Sequence, residues 1–204
     1  MEKTRNTKKQ HLLSLVEGAM MLALAWGLDF VCGLLPFNQI LWPAGGSLTL
    51  GMIPLVYYSF RHGSAWGLGA GFVFSGLQML MGWYTPPANT WWAVLLCVLL
   101  DYVLAFAVLG CANLFAKPFG KKHRLLGYGL GAGIVCLIRC ACSILSGAVL
   151  WGSYAPEGMN VWVYTVGYNG SYMLPNAILT AVLIVLLCKA IDPQTLKPMK
   201  KVSK

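Results

Sequence analysis

Between Gly158 and Cys188 the chain carries no Asp, Glu, Lys or Arg. An apolar run of that length suits the hydrocarbon of a bilayer better than the interior of a water-soluble domain. Three more runs, at about 12–35, 91–115 and 125–150, are also long enough to span. A shorter pair, at about 47–60 and 64–83, is split by Arg61-His62-Gly63. The pattern predicts an all-α integral membrane protein with six transmembrane helices. It forms one domain over 1–204, with basic cytoplasmic tails at 1–11 and 190–204. Composition agrees, at 58% hydrophobic and 10% charged residues.

Charge sets the orientation. Lys3, Arg5, Lys8 and Lys9 precede the first span, and Arg61 lies between the second and third. Lys117, Lys121, Lys122 and Arg124 separate the fourth from the fifth, while Lys189, Lys197, Lys200, Lys201 and Lys204 follow the sixth. With six alternating spans these fourteen of the fifteen basic residues share one side. The positive-inside rule makes that side cytoplasmic, so both termini are inside a multi-pass protein of the cell membrane. The net charge of +9 is thereby explained by topology and anionic lipid, and nucleic acid is not an expected partner. The first apolar run is too long for a signal peptide and lacks a clean small-residue cleavage site. Cys32, Cys97, Cys111, Cys136, Cys140, Cys142 and Cys188 match no metal or disulfide spacing and read as small buried apolar residues.

Along the first span Ala19, Ala23 and Gly27 recur every fourth position, which lets another helix approach closely, either inside the bundle or from a partner. Glu17 lies near the cytoplasmic end, within reach of water by snorkelling, and Asp29 lies deeper toward the outside. The loop from Pro36 to Ser47 mixes Phe37, Trp42, Pro43, Gly45 and Gly46 without charge. It reads as a lid over the bundle mouth, with Trp42 equally suited to an interfacial aromatic belt. Glycines 67, 69 and 71, and 127, 129, 131 and 133, fit close helix packing rather than a dinucleotide fingerprint. Gln78, Trp83 and Tyr84 are further pocket candidates at the outer end of span three.

Arg139, Ser143, Gly147 and Trp151 fall at i, i+4, i+8 and i+12, so on a helix they climb one wall. Asp101 lies roughly 15 Å inward from Trp91, and Arg139 roughly 18 Å inward from Trp151. Leaving either charge unpaired in hydrocarbon costs at least ~2.5 kcal/mol, which favours a pair, direct or bridged by ligand or water. Such a pair either lines a pathway or only fixes helix register. Span six opens with Trp162, Tyr164, Tyr168 and Asn169. Tyr164 and Asn169 are about 140° apart on a regular helix, so one of them is expected to miss the pocket unless the helix start is irregular. Aromatic walls with few polar points suit a flat, polar, cationic small molecule.

These residues bring a family into view. The chain resembles the thiamine-specific S components of energy-coupling factor (ECF) transporters from about Leu15 to Ala190. The likeness is carried by Gly18-Ala19-x-x-x-Ala23, Gly45-Gly46-Ser47 through Ile53-Pro54, Leu100-Asp101-Tyr102, Ser146-Gly147 through Trp151, and Tyr164 with Val166-Gly167-Tyr168-Asn169-Gly170. The resemblance implies the ECF S-component fold and a thiamine pocket near the outer face. It places a carboxylate at Asp101, a tyrosine at Tyr102 and a basic residue at Arg139. It also makes Gly147, Trp151, Tyr164 and Asn169 pocket positions. Ala19, Ala23 and Gly27 fall on the stripe that meets the membrane coupling subunit. Ser143 stands where some relatives carry histidine, and the segment from Trp83 to Trp92 is longer than in relatives.

No Gly-x-x-x-x-Gly-Lys-Ser/Thr motif is present, so this chain is not expected to be an enzyme; the resemblance implies a separate membrane coupling subunit and two ABC ATPase subunits that hydrolyse ATP. No cofactor is expected; thiamine is the ligand. The alternatives are an S component for another flat vitamin or precursor and a stand-alone proton-coupled thiamine carrier using Asp29 or Asp101. A small membrane enzyme is disfavoured because His11, His62 and His123 all lie on the cytoplasmic side.

Overall fold

The computed structural model of the protein describes residues 2–43, 45–88 and 90–198, with side chains from residue 7 onward. The basic residues Lys200, Lys201 and Lys204 of the C-terminal tail, and the side chains of Lys3 and Arg5, lie outside the described residues. The helices are α1 (Glu2–Gly33), α2 (Pro36–Leu41), α3 (Met52–His62), α4 (Ser64–Met81), α5 (Trp91–Phe119), α6 (Arg124–Leu150) and α7 (Val161–Ala190). No strand occurs among the described residues.

Four of these are long and apolar enough to cross a bilayer: α1 from Thr7, α5, α6 and α7. The count of six spanning helices is not confirmed by this measure. Helix α3 has 11 residues and α4 has 18, or about 16 and 27 Å, against a hydrocarbon core of about 30 Å. Helix α3 instead forms the centre of the bundle. Leu55, Val56, Tyr58 and Phe60 are buried in the main core with Leu109, Val135 and Ile184. Its start lies later than the apolar pattern suggests because residues 47–50 are not helical. Asn38 donates to the Leu48 carbonyl at 3.1 Å and accepts from its N–H at 2.9 Å. Asn176 does the same across Ser47 and Thr49, at 2.7 and 2.9 Å. Gly45 and Gly46, at φ of 99° and 103°, supply the turn into this stretch.

Glycine packing brings α4 onto α5. A Cβ on Gly67 would lie 2.5 Å from the Gly110 carbonyl, and one on Gly71 would lie 2.5 Å from the Phe106 carbonyl. Gly127 and Gly131 of α6 approach the carbonyls of Ala116 and Ala112 in the same way, whereas Gly69 and Gly133 face open space. Helix α5 is irregular. It is π-helical at Val98–Leu104 and turns 3-10 at Val108–Cys111.

The end carrying most basic residues is tied down by ion pairs rather than left loose. Glu17, expected to snorkel, takes Arg61 on both oxygens at 2.5 and 2.9 Å and His62 at 2.6 Å. Arg61 also donates to the Pro193 carbonyl at 3.0 Å, and Gln194 donates to Phe60 at 2.8 Å. Asp192 pairs with Arg124 at 2.9 Å. The chain from Asp192 to Gln194 is therefore docked under α3, not a free tail, and α1 is helical through most of the predicted N-terminal tail. The Glu17 site is only partly buried, between a worthless surface pair and a costly buried one. Glu17→Ala is expected to cost about 2 kcal/mol, seen as a fall of roughly 4–8 °C in the melting temperature of detergent-solubilised protein. An unchanged melting temperature would show that the cluster contributes no stability.

Candidate functional site

At the opposite end, α1, α4, α5, α6 and α7 enclose a cavity of about 750 Å³, with the 36–46 segment lying across it. Asp101, Tyr102, Arg139, Ser143, Gly147, Trp151, Tyr164, Asn169 and Trp42 all line this one space. The helical spacing from Arg139 to Trp151 thus forms a continuous wall of α6 and its C-cap. Helix α7 contributes Tyr164, Thr165, Tyr168, Asn169, Tyr172, Met173 and Asn176. These positions cover nearly half the helix circumference, so Tyr164 and Asn169 both reach the cavity although they are five residues apart. The expected exclusion of one of them fails because the cavity is wide, not because the helix is broken.

Asp101 sits on the π-helical stretch of α5. Its Oδ2 accepts from Ser146 Oγ at 2.6 Å, Trp151 Nε1 at 3.3 Å and Cys97 Sγ at 3.6 Å. All three donors converge on one oxygen, and no described residue bonds Oδ1. A π-helical turn adds a residue to the helical path and re-aims the side chains it carries, a device frequent at functional sites. Tyr102, next along, stacks on Trp83 at 5.5 Å and donates to the Gly82 carbonyl at 3.0 Å. Trp83 therefore supports the wall from behind, while Gln78 and Tyr84 line the cavity itself.

The direct Asp101–Arg139 ion pair is not formed. The Arg139 guanidinium lies over the Phe106 ring, 4.3 Å from its centroid, and its Nε is buried with no hydrogen-bond partner. Asp29, unpartnered in the sequence reading, accepts from Thr49 Oγ1 on one oxygen and Gln78 Nε2 on the other.

Gly147 is where α6 meets α7. A Cβ there would lie 2.9 Å from Thr165 Cγ2 and 3.2 Å from Asn169 Nδ2. Asn169 finds its partners on its own helix, donating to Thr165 O at 3.0 Å and accepting from Tyr172 at 2.7 Å. The segment across the mouth is held by its tip. Trp42 Nε1 donates to Ser171 Oγ at 2.7 Å, its ring meets Tyr172 edge-on, and Tyr168 donates to Gly45 O at 2.8 Å.

The sequence of the family described as thiamine transporter protein matches residues 15–196. The chain belongs to the thiamine transporter protein family. It is 36% identical over 189 residues to the thiamine transporter ThiT of Bacillus subtilis (strain 168), covering 89% of this chain and 93% of that one. It is 29% identical over 194 residues to ThiT of Lacticaseibacillus paracasei, covering 88% and 89%. A solved structure of ThiT from Listeria monocytogenes shares the fold, with a TM-score of 0.68 at 22% identity, over 89% of this chain and 96% of that one. Membership of this transporter family, with four apolar helices long enough to span, makes the chain a membrane protein.

The sequence reading does not single out Ser146, Phe106 or Thr49 as site residues, and it names Asp29 only for the proton-coupled alternative. Ser146 had the best available signal, since it adjoins Gly147 on the wall. Phe106 and Thr49 are ordinary residues whose roles depend on what the fold brings to them.

Proposed function

We propose that this member of the thiamine transporter family binds thiamine (vitamin B1) from outside and carries it across the cell membrane. It does so as the substrate-binding S subunit of an ECF-type ABC transporter. The observation that carries the reading is Asp101, held by three donors on one oxygen inside an aromatic cavity, in a chain 36% identical to a named thiamine transporter. Thiamine joins an aminopyrimidine to a thiazolium of permanent positive charge. The amino group suits the unused Asp101 oxygen, and the cation suits the faces of Trp151, Tyr164 and Trp42, each contributing ~1–2 kcal/mol when desolvated.

Transport needs an energy source that this chain does not encode. Ala19 and Ala23 are exposed on the outer face of α1, and Gly27 has nothing within 4 Å of a built Cβ. The stripe is thus unused inside the bundle and available to a membrane coupling subunit, itself driven by two ABC ATPases. The segment from Pro36 to Gly46 closes over bound thiamine, and the bundle reorients while its partners hydrolyse ATP.

Titrating the purified protein with thiamine, and with riboflavin as control, is expected to quench its eight tryptophans saturably with thiamine alone. No response from a folded sample would remove the ligand assignment. Uptake by the chain alone in liposomes, following a pH gradient, would replace the S-subunit reading with a proton-coupled carrier.

A further inference from the structure

Tyr172 of α7 is buried, lines the cavity and touches two parts of the site at once. Its hydroxyl donates to Asn169 Oδ1 at 2.7 Å, while Asn169 Nδ2 donates to the Thr165 carbonyl at 3.0 Å. A carbonyl can only accept, so Thr165 decides which end of the amide faces it, and the Tyr172 hydroxyl holds the other end. One N–H and one oxygen lone pair of Asn169 are left for a ligand. The ring of Tyr172 is fixed in turn by the segment across the mouth. A Cβ on Gly46 would lie 2.6 Å from Tyr172 Cε1, so only glycine passes over the ring there, at a φ of 103°. Trp42 meets the same ring edge-on at 5.8 Å and Tyr168 does so at 6.3 Å. Cys140 and Met173 complete a small core around it.

We infer that Tyr172 is a positioning residue, through which the seated 36–46 segment holds the Asn169 amide in one orientation for the ligand. This rests on the proposed thiamine site. The aminopyrimidine of thiamine carries acceptor ring nitrogens beside a donor amino group. An amide of fixed orientation can match that pattern, whereas one free to turn meets it with either end. Tyr172 acts through Asn169: its hydroxyl occupies the amide oxygen, and its ring is where the segment rests. When Gly46 and Trp42 lift away, the ring loses what fixes it and Asn169 loses its orientation. The recognition site is therefore complete only under the closed segment, which ties ligand choice to closure.

The test is a double-mutant cycle read by thiamine titration of the full chain, with Tyr172→Phe, Asn169→Ala and the two combined. Phenylalanine keeps the ring on which the segment rests and removes only the hydroxyl. Tyr172→Phe is expected to weaken thiamine binding about tenfold, the scale of one buried hydrogen bond, with the melting temperature of the empty protein little changed. In the Asn169→Ala background the same substitution is expected to cost almost nothing, because its effect belongs to the amide. Gly46→Ala tests the other contact by pushing a Cβ into the ring without altering Tyr172. Its loss of affinity is likewise expected to shrink when Asn169 is absent. Unchanged affinity in Tyr172→Phe would overturn the inference, as would losses that persist in full without Asn169, since the ring and segment would then act by another route. If wild type binds no thiamine, the thiamine site itself fails and this role of Tyr172 goes with it. Normal binding by wild type with an indifferent Tyr172→Phe removes only the role.

Discussion

Asp101→Asn is expected to weaken thiamine binding at least about 100-fold while leaving the melting temperature of the empty protein within a few degrees of wild type. The two halves of this expectation come from the same geometry. Ser146, Trp151 and Cys97 all donate to Oδ2, so an asparagine satisfies them by turning its carbonyl oxygen toward them. Its amide NH2 then occupies the position of Oδ1. A donor faces the cavity where an acceptor stood, and the charge that balances a thiazolium is gone. Truncating one partner of a buried, hydrogen-bonded charge pair costs ~2–5 kcal/mol, which exceeds the roughly 2.7 kcal/mol needed for a 100-fold loss at the middle of that range. The fold is spared because the substitution is isosteric and the three donors keep an acceptor. Calorimetric titration and thermal unfolding of the same preparation check both halves. Undiminished binding would show that Asp101 only locks α5 to α6, the register role that a buried charge can also have.

What could be read in advance follows from how local each signal is. The wall from Arg139 to Trp151 was legible because α6 carries Arg139, Ser143 and Gly147, and Trp151 directly caps its C-terminal end, so spacing alone fixes their sector. Placing Asp101 opposite that wall was legible only as depth. Its partners were not, because they depend on the π-helical turn at Val98–Leu104 and on the packing of α5 against α6. Of the two forms expected for the Asp101–Arg139 pair, the direct one is not made: three neutral donors hold one Asp101 oxygen, and the Arg139 guanidinium lies over the Phe106 ring. The short α3 leaves the count of six spanning helices unconfirmed. Apolar composition reports burial, and a helix central to a bundle is as apolar as one facing lipid. The start of α3 was hidden because two asparagines, Asn38 and Asn176, capture the backbone of residues 47–49 from distant parts of the chain.

Gly110→Val is expected to abolish stable folding, or to lower stability by at least ~3 kcal/mol if any protein is recovered. A Cβ on Gly110 would collide with the backbone of Gly67, and backbone cannot step aside as a flexible side chain can. The contact is doubly built, since Ser59 of α3 donates to the Gly110 carbonyl at 2.6 Å and accepts from Asn113 N–H at 3.2 Å. Forcing α4 away from α5 there breaks three helices apart at once. The consequence extends to the cavity. The same approach continues at Gly71 against Phe106 and Ala107, and Phe106 is the ring on which Arg139 rests. Further along α4, Gln78 holds Asp29. A displaced α4 therefore disturbs both Arg139 and Asp29, so whatever folds is expected to bind thiamine poorly even at low temperature. Gly133→Ala is the matched control, because a Cβ there meets nothing within 4 Å and alanine favours the helix. Monodisperse yield and melting temperature of the two variants side by side decide the matter. Normal folding of Gly110→Val would mean that α4 can shift without cost, and the close approach would then lose its place as the element that sets the cavity floor.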